Sequence, residues 1–190
     1  MVKMQRCSWC GDDPLYVEYH DYEWGVPEFD GPALFERLVL EGMQAGLSWY
    51  TVLKKRARMR EQFFGFDPAQ VAAGGQARMD EWLQDPGLIR HRGKLNSLIA
   101  NANAYLAIDD FPELIWSFVA GKPSQNRWRR MADVPAQTAE SQSMARGLKK
   151  AGFTFVGPTT CYAFMQSAGL VNDHLLSCPA HTQCRDAWNG

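Results

Sequence analysis

Long apolar runs are missing from this sequence. No stretch approaches the ~20 residues that a membrane-spanning helix needs, and residues 1–10 lack the apolar core of a secretory signal. Net charge is also missing: 20 basic and 21 acidic side chains leave −1, so nucleic-acid binding would have to rest on a local patch. Five cysteines are an odd number, which a metal site in a reduced protein explains better than a disulfide framework. We therefore expect a cytoplasmic protein with no membrane partner.

Internal repeats, low-complexity tracts and period-two strand patterns are absent too, and apolar residues recur at helical spacing instead. Leu34, Phe35, Leu38 and Val39 share one face of a predicted helix over residues 31–41. Further helices are predicted from Ser48, from Asp67, over 79–84, from Leu95, over 111–120, over 141–151 and, as the last, from Pro158 to Gly169. A polar linker over residues 121–139 is expected to be the most mobile loop. The prediction is an all-α fold in a single domain, residues 1–190.

Cysteines and histidines stand at both ends of the chain. Cys7, His20, His174 and Cys178 together form a Cys2His2 set, which suits a closed tetrahedral zinc site. Cys10 follows Cys7 at the spacing that many zinc motifs use, so a Cys3His set with Cys10 in place of His20 competes. Two further candidates, His181 and Cys184, lie just downstream. The spacing alone leaves these alternatives open.

Aromatic residues are dense near the N-terminus and return at Trp49. The rings are Trp9, Tyr16, Tyr19, Trp24 and Trp49. Such rings stack on nucleobases, and their faces attract a cationic base more strongly than a neutral one. Glu41 ends an apolar helix pattern just before a glycine-containing break. If that break lines a pocket, the carboxylate can accept hydrogen bonds from an exocyclic amino group and balance a cationic ligand.

Three turns carry further signals for nucleic-acid contact. Gln44 and Leu47 flank a tight glycine-containing loop, and an apolar wedge on such a loop can fill the gap that a flipped base leaves. Gly152 and Gly157 lie in a turn between two predicted helices, where glycine lets a partner approach the backbone closely. The helix beginning near Pro158 would offer its free N–H groups to a phosphate. A second turn, over residues 85–94, is rich in basic side chains and has no assigned role.

These segments resemble the bacterial DNA-3-methyladenine glycosylase I family. The resemblance rests on ordered motifs that include Glu-Gly-x-Gln-Ala-Gly-Leu-Ser-Trp at residues 41–49 and Ile-Arg-His-Arg-Gly-Lys at residues 89–94. The matching stretches are residues 6–9, 13–27, 40–49, 51–56, 89–94, 153–157 and 169–174. They leave out chiefly the 121–139 linker and the tail.

The resemblance implies a helix-hairpin-helix DNA glycosylase fold in which one structural zinc ion joins the terminal segments. It assigns the ligands to Cys7, His20, His174 and Cys178, and leaves Cys10, His181 and Cys184 without a role. It places the hairpin at about residues 145–168, with Gly152, Gly157, Thr159 and Thr160 on phosphates. Asp173 lies near the position of a catalytic aspartate in related enzymes, but a structural role beside His174 is expected for it.

The implied reaction is hydrolysis of the N-glycosidic bond of N3-methyladenine in alkylated double-stranded DNA. Glu41 would read the base as the catalytic group, five rings would bind it (Trp9, Tyr16, Tyr19, Trp24 and Trp49), and Gln44 and Leu47 would plug the duplex. The expected partners are alkylated DNA and the free 3-methyladenine product, and the expected state is a monomer. Two alternatives remain: a non-catalytic module that binds damaged bases, and a zinc-stabilised interaction domain.

Overall fold

The computed structural model describes residues 5–189, so residues 1–4 and 190 of the predicted domain lie outside the description. The described residues form nine α-helices and one pair of very short strands. In chain order the helices are α1 (Pro14–Tyr22), α2 (Gly31–Gln44), α3 (Trp49–Gln62), α4 (Pro68–Gln84), α5 (Arg92–Leu106), α6 (Phe111–Ser117), α7 (Ala139–Lys150), α8 (Pro158–Ser167) and α9 (Pro179–Asn189). The all-α prediction is confirmed. None of the helices in the described part of the chain is long and apolar enough to cross a membrane.

Side-chain caps fix where most of these helices begin. The predicted caps are confirmed: Ser48 accepts a hydrogen bond from the backbone N–H of Thr51, and Asp67 accepts one from that of Gln70. Proline at the first or second position, whose missing N–H would be unpaired there anyway, follows the capping aspartates at α1, α2, α4 and α6. These local signals made the helix starts predictable.

Several predicted boundaries are wrong. The two short helices expected from Asp67 and over 79–84 are one continuous helix, α4. The helix from Phe111 already ends at Ser117, and the one from Pro158 ends at Ser167. That helix is also not the last, because α9 follows it.

Helix α2 runs between the two halves of the hydrophobic core. Leu34 and Leu38 pack with α6, α7 and α8, whereas Phe35, Val39 and Met43 pack with α3, α4 and α5. Every residue from Leu38 to Met43 is buried. Glu41 lies within this stretch, so its carboxyl is carried into the interior.

Two short strands anchor the segment between α6 and α7. Strand β1 (Ser124–Gln125) pairs in parallel with β2 (Val171–Asn172), with Ser124 opposite Val171. Farther along the segment, the carbonyl of Trp128 accepts a hydrogen bond from the N–H of Leu176. Strands of two residues are too short to show alternation, so no sequence pattern indicates them. The expected mobility of residues 121–139 stays a prediction.

Helices α7 and α8 form a hairpin whose turn lies on α5. Gly152 follows the end of α7 with φ +98, a conformation that glycine adopts without strain. The buried amide of Asn101 donates to the carbonyl of Thr154 at 3.1 Å and accepts from its N–H at 2.8 Å. These two bonds fix the turn against α5.

Candidate active site

A cavity of about 250 Å³ opens beside the last turn of α2. It is lined by Trp9, Tyr16, Tyr19, Trp24, Glu41, Gln44, Trp49, Met131, Ala163 and Gln166. This volume lies just below the usual range for small-molecule sites, about 300–1,000 Å³. The cavity therefore suits a small ligand of roughly one aromatic ring system.

The five predicted aromatic residues form one connected cluster around this cavity. The Trp9 ring centroid lies 5.2 Å from that of Tyr16 and 5.0 Å from that of Trp24. On another side, the centroids of Tyr19 and Trp49 are 5.2 Å apart. The indole N–H groups of Trp9 and Trp49 are buried and have no hydrogen-bond partner among the described residues. The wall thus offers ring faces for stacking.

Glu41 is the acidic side chain in this lining, and it is 5% exposed. Burial raises the pKa of its carboxyl to about 8, and an opposing hydrogen bond from Ser167 lowers it. The carboxyl is therefore mostly neutral at pH 7 until something stabilises its charge. A cationic ligand in the cavity would do so, because an opposite charge nearby favours the ionised form.

A groove continues from the cavity toward the hairpin. It is about 260 Å³ in volume, and Glu41, Gln44 and Ala163 line both spaces. The groove is also lined by Leu47, which follows α2, and by Thr159 and Thr160 of α8. Leu47 is 40% exposed, so its side chain is accessible to a partner that enters the groove.

The hairpin leaves backbone donors free at the start of α8. Gly157 caps this helix without a side-chain hydrogen bond, so the N–H groups of the first turn, which includes Thr159, stay available. A β-carbon at Gly157 would meet no atom within 4 Å. Neither packing nor φ (−68) requires glycine there. Glycine is a favoured N-cap residue, and the missing side chain also leaves the backbone open to close approach by a partner.

The four terminal cysteine and histidine residues come together in one buried cluster. The ligand atoms of Cys7, His20, His174 and Cys178 all lie within 4.8 Å of one another. The Sγ of Cys178 is 3.6 Å from Nε2 of His20 and 3.8 Å from Nδ1 of His174, and the Sγ of Cys7 is also 3.8 Å from that Nδ1. Ligand atoms about 2.0–2.3 Å from one tetrahedral metal ion would be separated by similar distances. The cluster therefore has the dimensions of a metal site.

The second nitrogen of each histidine is held by an acceptor. Nδ1 of His20 lies 2.7 Å from the carboxylate of Asp21, which Arg6 holds in turn, and Nε2 of His174 lies 2.8 Å from the carbonyl of Trp24. Each of these nitrogens must donate, so the nitrogen facing the cluster carries the lone pair. A hydrogen bond from Cys7 also lowers the pKa of the Cys178 thiol. Both features favour metal binding.

The rival ligands point elsewhere. Cys10 Sγ donates to the carbonyl of Cys7 at 3.2 Å, and His181 Nε2 contacts the carbonyl of Asn126 at 2.8 Å. Cys184 Sγ faces the carbonyl of Trp24 at 3.8 Å. The structure thus brings together the Cys2His2 set and separates it from the Cys3His alternative.

The Cys2His2 cluster and the aromatic cavity share a wall. The Trp24 ring packs edge-on against His174 with centroids 4.6 Å apart, and the Trp9 ring lies 5.1 Å from that of His20. Anything that moves the two histidines therefore moves two sides of the cavity.

Asp173 is fully buried and surrounded by donors. Its carboxylate accepts hydrogen bonds from Asn126, Trp128, Tyr162 and Gln166 at 2.6–2.8 Å. A carboxylate with four partners has no free position for an attacking water. The arrangement fits the expected structural role, in which Asp173 ties the segment after β1 to α8.

Three lining residues carried no signal in the sequence. Met131 comes from the polar linker, and Ala163 and Gln166 lie one turn apart on α8. The i, i+3 spacing on α8 is the sole pattern that could have paired the last two.

Known proteins share this fold and up to about half of this sequence. The description of the family model that matches residues 9–181 reads methyladenine glycosylase. A DNA-3-methyladenine glycosylase of Haemophilus influenzae is 52% identical over 181 residues, which cover 93% of this chain and 98% of the relative. A crystal structure of 3-methyladenine DNA glycosylase I superposes with a TM-score of 0.90 at 50% identity, covering 92% of this chain and 98% of that one.

A second solved structure adds a ligand. It is a variant of 3-methyladenine DNA glycosylase I in complex with 3-methyladenine, with a TM-score of 0.88 at 36% identity, covering 92% of this chain and 96% of that one. The family match spans most of the described residues and includes all five rings and Glu41. The chain therefore belongs to the methyladenine glycosylase family of DNA glycosylases.

Proposed function

We propose that this protein flips N3-methyladenine out of alkylated double-stranded DNA and hydrolyses its N-glycosidic bond, leaving an abasic site. The observation that carries this proposal is the ring-lined cavity with a buried carboxyl in its wall. That combination favours a flat, cationic ligand, because ring faces and a carboxylate both stabilise positive charge. The identity of the substrate is inferred from the relatives named DNA-3-methyladenine glycosylase.

Recognition is assigned to Glu41 and the five rings. All five rings line the cavity, and the Tyr19–Trp49 pair meets the group of Trp9, Tyr16 and Trp24 where the Trp9 and Tyr19 centroids lie 6.4 Å apart. The carboxylate of Glu41 accepts a hydrogen bond from the amino edge of the base and ionises as the cation enters. Neutral adenine lacks the charge that makes this favourable, so it binds less tightly.

The reaction needs little help from an enzymic base. Methylation at N3 makes the base cationic, so the electrons of the breaking glycosidic bond neutralise it and it leaves as a neutral molecule. Water adds to the sugar carbon and loses its proton to solvent. Binding that holds the flipped, cationic base supplies the main catalytic effect.

DNA binding is assigned to the turn over residues 44–47, here called the wedge turn, and to the α7–α8 hairpin. Leu47 and Gln44 fill the space that the flipped base vacates. The α7–α8 unit acts as a helix-hairpin-helix motif, in which Gly152 shapes the turn and Gly157, Thr159 and Thr160 present backbone N–H groups to phosphates.

We assign one structural zinc ion to the Cys2His2 cluster of Cys7, His20, His174 and Cys178. Four protein ligands leave no open position for an activated water, so zinc would act as a clasp. It closes a loop of about 170 residues, and cross-linking a loop of that size removes on the order of 5 kcal/mol of unfolded-state entropy.

We further propose that the chain acts as a monomeric, single-domain enzyme of the cytoplasm. All five cysteines are free and buried, as suits a reducing compartment. Light scattering on a size-exclusion column would test the monomer, since a mass near 21.5 kDa is expected.

The decisive experiment measures release of free 3-methyladenine from methylated duplex DNA, identified by chromatography. The unaltered protein should release it, Glu41→Gln should lose both release and affinity for the free base, and Glu18→Gln, a change at an exposed acid on α1, should behave as the unaltered protein. Tight binding without release would indicate a non-catalytic recognition module instead. Absence of both would leave an interaction domain.

A further inference from the structure

The basic segment over residues 89–94 contains one cation that does not face solvent. Lys94 is 6% exposed, whereas Arg90 and Arg92 are exposed. Its ammonium donates to the carbonyl of Met43 at 2.8 Å and to that of Ala45 at 2.6 Å. A buried lysine with two backbone acceptors is committed to the protein and is not free to bind a phosphate.

Both acceptors belong to the end of α2. Carbonyls in the last turn of a helix lack intrahelical partners, and a cation there also interacts favourably with the helix dipole. Lys94 thus joins the first turn of α5 to the point where α2 stops. Glu41 lies just before this point and Leu47 just after it, so the ammonium contacts the backbone between the base-reading residue and the wedge.

The wedge is carried on a type II β-turn. Ala45 has φ −47 and ψ 116, Gly46 has φ +77, and the N–H of Leu47 donates to the carbonyl of Gln44 at 2.6 Å. Type I and type II turns differ mainly in the orientation of the central peptide, here that between Ala45 and Gly46. The carbonyl of this peptide is the one that Lys94 holds. The lysine therefore selects one of the two orientations.

We propose that Lys94 is a positioning residue for base flipping, which keeps the wedge turn in its type II form so that Leu47 stays in the groove beside the cavity. The inference rests on the proposed function, since it needs a flipped base and a wedge. It gives the family-like motif at residues 89–94 a task in the mechanism. It also predicts a defect that depends on whether the damaged base is paired, which a merely structural lysine would not produce.

The test compares paired and unpaired substrate made from one batch of lesions. A methylated deoxyadenosine oligonucleotide is used single-stranded or annealed to its thymidine complement, and released 3-methyladenine is measured by chromatography. Lys94→Met removes both hydrogen bonds and keeps an unbranched side chain of similar length. We expect kcat/KM on the duplex to fall about 10- to 100-fold, the loss typical of misplaced groups, with much smaller loss on the single strand and in free-base affinity.

Two other variants make the result independent of folding. Gly46→Ala disfavours the type II turn through its φ of +77 but meets no atom within 4 Å, so it should show the same duplex-specific defect. Lys55→Met is the matched control, because Lys55 also donates to a backbone carbonyl, that of Pro86 at 2.6 Å, away from the wedge. It should cause no duplex-specific loss.

The outcomes separate the two proposals. No release from either substrate by the unaltered protein would refute the proposed function. Normal release by the unaltered protein, with Gly46→Ala and any folded Lys94→Met losing equal activity on both substrates or none at all, would overturn the role of Lys94.

Discussion

Replacing Glu41 with glutamine removes a carboxyl whose charged form the cavity makes unfavourable. Burial raises the pKa of Glu41 from its ordinary 4.5 to about 8. Between these values the unfolded chain has lost the proton and the folded protein still binds it, so stability falls as pH rises. At about 1.4 kcal/mol per pH unit, the whole interval corresponds to about 5 kcal/mol. Glutamine keeps the shape without titrating, so Glu41→Gln should become progressively more stable than the unaltered protein.

The assay is urea unfolding of both proteins at pH 5.5 and pH 8.5. The free energy of unfolding of Glu41→Gln, minus that of the unaltered protein, should rise by about 3 kcal/mol between these pH values. Subtracting the two free energies of unfolding removes contributions common to both proteins, including any effect of pH on the Cys2His2 cluster. The control Glu18→Gln should show no such rise. The same Glu41 variant should bind 3-methyladenine less tightly, so that stability is gained where function is lost.

If the difference in free energy of unfolding between Glu41→Gln and the unaltered protein does not change with pH, this reasoning is refuted. Such a result would mean that Glu41 does not titrate between 5.5 and 8.5, and that its carboxyl is either solvated or paired with a cation in the free protein. An improvement in base affinity would contradict the assignment of Glu41 to the base.

Other perturbations have equally definite outcomes. Gly157→Ala should change the free energy of unfolding by less than about 1 kcal/mol, because the gain from a less flexible unfolded chain is opposed by the loss of glycine at the helix cap. It should nevertheless bind duplex DNA more weakly with free-base affinity unchanged; unaltered DNA affinity would remove Gly157 from the interface. Cys178→Ser, or treatment with a chelator, should lower the melting temperature and abolish the zinc measured by elemental analysis, whereas Cys161→Ser should retain zinc; full stability of the metal-free protein would contradict the clasp. Asp173→Asn should lower stability by about 3 kcal/mol by disturbing four buried hydrogen bonds, while single-turnover excision below the melting temperature changes less than tenfold; a stable variant with no excision would identify Asp173 as a catalytic base.

The helices and their first turns were the most predictable part of this molecule. Capping side chains act on the N–H groups two or three residues away, so residues such as Ser48 and Asp67 declare a helix start within a short segment. The continuity of α4 was not predictable in this way. A β-carbon at Gly75 would come within 2.8 Å of Ile99, so this glycine permits close packing of α4 on α5 and does not break the helix. That requirement arises from a partner helix far along the chain.

The site could be predicted where it is built from uncommon residue types. It could not be predicted where membership depends on the three-dimensional arrangement of the chain. Cysteine, histidine and tryptophan are scarce enough to mark a metal site and a stacking surface by their mere clustering. Whether Cys10 or His20 joins the cluster of candidate metal ligands depends on the three-dimensional course of the chain, and no spacing rule settles it. Lys94 shows the same limit: its sequence neighbours are solvent-facing cations, and the acceptor carbonyls lie about 50 residues away.

The wall shared by the Cys2His2 cluster and the aromatic cavity has a consequence for biosynthesis. The chain between His20 and His174 is about 150 residues, and at ribosomal speeds of about 5–20 residues per second its synthesis takes about 8–30 s. Until that time has passed, Trp9 and Trp24 have been made but the histidine and cysteine that complete their support have not. A nascent or prematurely terminated chain would therefore lack a finished base pocket, so that only a chain translated through Cys178 becomes competent to hold a damaged base.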